Sequence, residues 1–247
     1  MSDLHHLRQK NLTLARKLVR ESVSPDLHII NAVNNIEELQ RIQNVLSKRL
    51  REWYSLYFPE LDKKIANHEE YVEHVLKDNK EEMIEEFKVK DSMGGDVARH
   101  EVAEMKKLAE AVKKLFDEEK HLAAYLEKAM EKHCINLYTL AGSIIGAKLM
   151  RGAGSLRKLA MMRSSTIQLI GAEKALFRHI KTGAKPPKYG HLLQHPLVSK
   201  SRQADKGKIA RALADKIFVA VRVDYFKGEF IADKLLKEVE VKVNENK

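Results

Sequence analysis

"SPDLHIINAVNNIEELQRIQNVLSKRLREWYSLYFPEL", Ser24 to Leu61, reads as one long helix with a marked beginning and end. Ser24-Pro25-Asp26 places a proline early and an acid in the first turn, where both favour helix initiation. Ile29, Ile30, Val33, Ile36, Leu39, Ile42, Leu46 and Leu50 then recur at spacings of three and four, which puts one apolar stripe along the helix. The helix is expected to run to Trp53-Tyr54 and stop before Phe58-Pro59, because the residue preceding a proline disfavours the α region. Similar spacing marks residues 4–22, through Leu4, Leu7, Leu12, Leu18 and Val19, and the stretch carrying Ile209, Leu213, Ile217 and Ala220. Aromatic residues are only 6% of the 247, and clusters of β-branched residues are scarce, so the expected class is all-α.

Residues 62–131 predict a hairpin. Ile65, Val72, Val75, Leu76, Met83 and Phe87 share one helical face, and after "SMGGD" (Ser92–Asp96) come Val102, Met105, Leu108, Val112, Leu115, Leu122, Leu126 and Ala129. Each arm is about 30 residues, or about 45 Å of helix. Gly94-Gly95 is read as the reversal and Asp96 as the cap of the second arm. The expectation is a long antiparallel coiled coil that also pairs two copies of the chain. Its dimerisation residues are Ile65, Val72, Met83, Val102, Met105, Val112, Leu115 and Leu122, with polar interruptions at His68, Asn79 and Glu119. The expected organisation is therefore residues 1–61 as connecting helices, 62–131 as the hairpin, and 132–247 as a second helical domain with a charged tail.

Charge divides the chain in the same way. Residues 60–131 carry 20 acids against 13 bases, whereas residues 142–231 carry 18 bases against 5 acids. The second segment has the charge to bind a polyanion by counterion release, and RNA, DNA or an anionic membrane all satisfy it at this level. The N-terminus lacks an apolar leader and no run of about 18 apolar residues exists, which predicts a soluble intracellular protein without a membrane partner.

Signs of catalysis or metal binding are weak. In "RGAGSLRKL" Lys158 precedes Leu159 rather than Ser or Thr, and no strand precedes the glycines, so the stretch does not read as a phosphate loop. His191 and His195 are four apart, but Pro196 follows at once and no HExxH glutamate is present. The acid run "EEMIEEF" has no calcium-loop spacing and reads as a solvated flank. Cys134, the single cysteine, has no catalytic partner nearby and reads as a small buried apolar residue. No catalytic residue, metal or cofactor is expected.

The basic stretch from Arg163 to His191 is more informative. Ser164, Ser165 and Thr166 can cap a helix and present hydroxyls to phosphate. On a helix beginning near Ser165, Thr166 and Gln168 lie early, and Lys174, Arg178 and Lys181 follow on one face. Pro186-Pro187 stiffens a loop bearing Lys185, Lys188 and Tyr189, which limits the entropy lost on docking; Tyr189 can stack on an unpaired base. His191 is placed at the surface or facing RNA.

Three stretches, "GAGSLRKLA", "SSTIQLIGAEKALFRHIKTGAKPPKYGHLLQHPLV" and "KGKIARALADKIFVAVRVDYF", strongly resemble the Nop domain, and "VNNIEELQRIQNVLSKRLREWYSLYFPEL" resembles the helix that precedes that family's coiled coil. The resemblance covers essentially the whole chain and is nearest to archaeal Nop core proteins of box C/D small ribonucleoproteins. It implies an α-helical domain that grips a kink-turn guide RNA together with the small ribosomal-type kink-turn-binding protein seated on it. It implies homodimerisation through the coiled coil and a scaffolding role in 2′-O-methylation by fibrillarin. It also places Arg163, Ser164, Ser165, Thr166 and Gln168 near RNA by their position in the motif. The family's N-terminal fibrillarin-binding domain has no counterpart here, so fibrillarin contact is expected only through that missing domain, in a chain that is truncated or naturally short. The resemblance implies a cytoplasmic location in an archaeon and a nucleolar one in a eukaryote. Two other readings are a spliceosomal-type Nop protein on a kink-turn snRNA and a coiled-coil adaptor that binds acidic proteins.

Overall fold

The structure is a computed structural model that describes residues 2–77, 80–90 and 92–244. All regular structure among these residues is helical, as expected from the periodicity. In chain order the helices are α1 (Ser2–Glu21), α2 (Pro25–Tyr54), α3 (Glu60–Lys64), α4 (His68–Lys77), α5 (Lys80–Glu86), α6 (Arg99–His133), α7 (Ile135–Ala141) and α8 (Ser143–Ala153). They continue with α9 (Leu156–Met161), α10 (Ser164–Leu169), α11 (Glu173–Thr182), a 3-10 turn (His191–Gln194), α12 (Pro196–Ser199), α13 (Lys206–Tyr225) and α14 (Ala232–Asn244). None is long and apolar enough to cross a membrane among the described residues. Two compact units result: Asn34–Ala124, and Met1–Val33 with Tyr125–Lys247.

The Asn34–Ala124 unit differs from the expected hairpin. Its second arm is one helix, α6, but its first arm is broken into α3, α4 and α5. Arg51 explains the break after α3. Its guanidinium is nearly buried, with Nη2 donating to the carbonyls of Ala66 and Asn67 at 3.1 Å each. Nη1 donates to Asp62 at 2.7 Å, Nε donates to His68 Nδ1 at 3.0 Å, and the plane lies 4.2 Å from the Tyr71 ring centroid. Asn67 then caps α4, its side-chain oxygen accepting from the Glu69 amide at 2.8 Å. Carbonyls engaged by a side chain from α2 hold the chain off the helical path, and the local Asn restarts it.

The reversal also differs. α5 ends where Lys88 turns to φ +50° and the Val89 amide donates back to Ile84 at 2.9 Å, a left-handed helix stop. The following residues do not make a tight glycine turn. They run back along the connection between α2 and α3, with the Met93 amide on Glu60 at 2.7 Å and the Gly95 amide on the Leu56 carbonyl at 2.8 Å. A Cβ on Gly94 would lie 1.9 Å from the Tyr57 carbonyl oxygen, so this glycine serves close approach rather than a bend. Asp96 does not start α6, which begins at Arg99, with Glu101 accepting from the Ala98 amide at 3.3 Å.

The apolar seam forms the unit's own core. Ile65, Val72, Met83, Met105 and Val112 cluster with Leu50, Tyr54, Phe58, Leu61 and Tyr71, and Val102 is buried as well. Those six dimerisation candidates are covered within one chain; only Leu115 and Leu122 keep partial exposure. The hydrophobic effect explains this, because three short helices folded against α2 and α6 cover the stripe without a second copy. Of the polar interruptions, His68 accepts from Arg51 and Glu119 accepts from Gln40 at 2.6 Å, while Asn79 lies outside the described residues.

In the other unit α13 is the central helix, packed by α7, α9, α10, α12 and α14. Ile209, Leu213, Ile217 and Ala220 are buried as their spacing predicts. Ala210 and Ala214 are buried beside them, so small residues widen the packed face. Asp224 near the end of α13 caps α7 from across the core. Its carboxylate accepts from the Asn136 amide at 3.1 Å, the Asn136 side chain at 2.9 Å and the Leu137 amide at 2.8 Å. Asn136 in turn accepts from the Ile231 amide at 2.8 Å, which ties the approach to α14 to the same point. Cys134 is buried, and burial pushes its thiol up to about 12, so it packs as an apolar residue and holds its proton at neutral pH.

Candidate nucleic-acid interface

The segment Arg163–His191 is not one helix followed by a loop. α10 stops at Leu169 and α11 starts at Glu173, so the early residues Thr166 and Gln168 do not share a helix with Lys174, Arg178 and Lys181. The break is imposed from downstream. The Gly190 amide donates to the Gln168 carbonyl at 2.9 Å and the His191 amide to the Ile170 carbonyl at 2.8 Å, removing acceptors that a continuing helix needs. Gly171 sits at φ +91° between the two helices, with its amide donating to the Glu173 carboxylate at 2.7 Å. Burial raises the Glu173 pKa, but hydrogen bonds from Gly171 and its own amide, with His191 and Arg151 nearby, hold it below the usual value. Glu173 is thus a local cap.

The returning loop is clamped rather than loose. Gln168 is buried, and its Nε2 donates to the Lys188 carbonyl at 2.6 Å. A Cβ on Gly190 would lie 1.9 Å from the Ile170 carbonyl oxygen, so only glycine permits this approach. At the loop's other end the His179 ring meets the Ala184 carbonyl and the Gly183 amide donates to the His179 carbonyl at 2.9 Å. Two prolines between fixed ends give a stiff segment.

The expected contact residues divide accordingly. Arg163, Ser165, Thr166, Lys174, Arg178, Lys181, Lys185 and Lys188 are exposed, and Ser164 is half-buried. Among the described residues none of these six cations is in an ion pair, and no hydrogen bond is made by the hydroxyls of Ser164, Ser165 or Thr166. Gln168 fastens the loop through its Nε2. Tyr189 is half-buried, and its hydroxyl accepts from Gln203 at 3.3 Å, which reduces the ring area open to a base. The His191 ring lies against Gly171 and is half-buried, so it packs as much as it faces outward. His195 is buried, its Nδ1 accepting from the Leu197 amide at 3.3 Å, and burial lowers its pKa. Among the described residues no group of three His, Cys, Asp or Glu side chains converges to hold a metal ion.

Sequence reading missed the apolar half of α11. Phe177 is 67% exposed and Ile180 is 73% exposed, three residues apart and interleaved with Arg178 and Lys181. The spacing was visible, but apolar residues at three and four are ordinarily read as core, and only packing reveals that none of α11 is fully buried. The result is a fixed helix offering cations and apolar side chains together, a surface suited to an anion and a protein at once.

A family model described as "snoRNA binding domain, fibrillarin" and named Nop matches residues 35–245. The chain belongs to the Nop family. An uncharacterised NOP5 family protein of Methanocaldococcus jannaschii is 41% identical over 249 residues, covering 94% of this chain and 60% of that protein. Nucleolar protein 56 of Dictyostelium discoideum is 37% identical, covering 89% of this Nop chain and 45% of its own length. This chain therefore spans about half of the relatives it matches. The crystal structure titled as a fibrillarin/Nop5p complex superposes with a TM-score of 0.59 at 25% identity, over 98% of this chain and 78% of that one.

Proposed function

We propose that this Nop chain is a non-catalytic scaffold of a box C/D-type guide ribonucleoprotein, docking on a kink-turn RNA that already carries its small binding protein. The observation that carries the reading is α11, where Lys174, Arg178 and Lys181 stand beside exposed Phe177 and Ile180. Unpaired cations meet phosphate by counterion release, and the two exposed apolar side chains beside them offer a surface that a protein partner can cover. The clamped proline loop adds Lys185 and Lys188 with little freedom to lose on binding. Membership of a family described as snoRNA-binding, and relatives named nucleolar proteins, support the same reading. The neighbouring complex of Nop5p with fibrillarin supports fibrillarin as the methyltransferase that such an assembly organises. Pairing of two copies belongs to the proposal and rests on Leu115 and Leu122, the seam residues that keep exposed surface.

The test is a gel shift with kink-turn RNA, with and without the small kink-turn protein, repeated on an RNA whose kink-turn is disrupted. Strong binding only with the protein present and the kink-turn intact is the expected result. Equal affinity in all three cases would reduce the surface to generic electrostatic attraction.

A further inference from the structure

Beside the proline loop lies a cleft of about 660 Å³, formed where the first turns of α13 come under α10 and the loop. Leu169, Pro186 and Pro187 supply apolar walls; Ser165, Lys208 and Arg211 lie around them, with Lys188 on the loop. The Lys188 stem runs over Gly207, where a Cβ would stand 3.4 Å from its Cδ. Gln168 also lines the cleft, and its orientation is settled by chemistry. A carbonyl oxygen only accepts, so the nitrogen of the carboxamide must face Lys188, and the atom left over is Oε1, which also only accepts. The acid nearby is Asp205. It receives Arg202 Nε at 3.1 Å and stands 3.6 Å from Lys208 Nζ, so one carboxylate is shared by two bases. Arg211 has no ion-pair partner among the described residues.

We propose that this cleft holds one unpaired nucleotide of the bound RNA, with the base between the proline and leucine walls and its phosphate against Arg211 and Lys208, and that it favours bases carrying an exocyclic amino group. The proposal rests on the reading of the chain as RNA-binding and adds a site to it. The volume falls within the roughly 300–1,000 Å³ of small-molecule sites, and a few polar groups set in apolar walls are what such sites use for orientation. Apolar walls on either side of the cleft can cover the faces of a base, and cations at the rim take the phosphate. The lone acceptor Oε1 sets the preference. Adenine, cytosine and guanine each present an amino donor, whereas uracil presents a single N–H between two carbonyls that oppose another acceptor.

The experiment uses the full chain with labelled leucine methyls, titrated in separate arms with AMP, UMP and inorganic phosphate and read by NMR. The Leu169 methyls are expected to shift with AMP, with UMP binding weaker by about threefold or more. Phosphate alone should leave Leu169 unmoved. Arg211→Gln should weaken AMP by about tenfold, the loss of one charge-assisted contact. A Leu169 signal that ignores AMP, or that responds equally to phosphate, overturns the proposal; equal affinity for AMP and UMP overturns the base preference. Assembly of the parent chain on kink-turn RNA is followed in parallel. If the parent chain assembles on kink-turn RNA while Leu169 ignores AMP, the RNA-binding reading survives and the cleft falls; if the parent chain neither assembles nor shows a Leu169 response to AMP, both fall.

Discussion

Replacing Lys181 and Lys185 together with glutamine removes two cations from the α11–loop surface and should leave the fold untouched. Both side chains are exposed, and neither has an ion-pair partner among the described residues, so no compensating charge is stranded by their loss. Exposed substitutions of this kind change stability by less than about 0.5 kcal/mol each. Lys188 is a poorer choice, because its stem packs over Gly207 and its carbonyl anchors Gln168. If each lysine neutralises one phosphate, the slope of log affinity against log salt should flatten by about 0.7–0.9 per contact, or about 1.4–1.8 for the pair. The assay is assembly on kink-turn RNA with its small protein across a salt series, alongside circular dichroism and a thermal melt. An unchanged slope with full assembly would show that this surface faces solvent in the complex, and the site would have to move to the Arg151–Arg163 segment. A shifted melt would mean that the lysines have structural partners, contrary to the geometry.

Phe177→Ser should abolish assembly that depends on the small protein while leaving the weak binding of RNA alone within about twofold, because Phe177 is exposed and the substitution changes no charge; equal loss in both gel shifts would remove the protein-docking role of α11. Val72→Glu buries a carboxylate in a fully covered site and should destabilise the Asn34–Ala124 unit by about 3 kcal/mol or more. Leu115→Glu, at a half-buried position, should instead lower self-association in sedimentation with a smaller change in melting; a Val72→Glu chain that melts normally and merely loses its dimer would restore the intermolecular seam. Burial raises the Asp224 pKa, against the lowering from the Leu137 and Asn136 hydrogen bonds. The folded state then holds this proton more tightly than the unfolded one, so the group's contribution falls as pH rises from the unfolded value of about 3.9 through the raised folded value. The stability of the parent minus that of Asp224→Asn, from urea melts between acid and neutral pH, should therefore decline with rising pH, and a rising difference would reverse the assignment.

Most of what the chain forms was legible along its length. The three-and-four spacing of α2, α6 and α13 marks helices that are amphipathic whatever surrounds them, and a stripe of Ile and Leu must be buried somewhere. The concentration of bases after residue 142 and the proline-stiffened loop likewise follow from local residue chemistry. The tertiary structure decided where helices end and what covers each stripe. The break before α4 depends on Arg51, 15 and 16 residues from the carbonyls it takes, and the break after α10 on amides about 20 residues downstream. Competition for a backbone acceptor by a distant group leaves no trace in the local period. The same holds for burial: Val72 and Phe177 are both apolar residues on amphipathic helices. One is covered because α2 and α6 lie over it, and the other is left bare because α11 packs with neither Phe177 nor Ile180 inward.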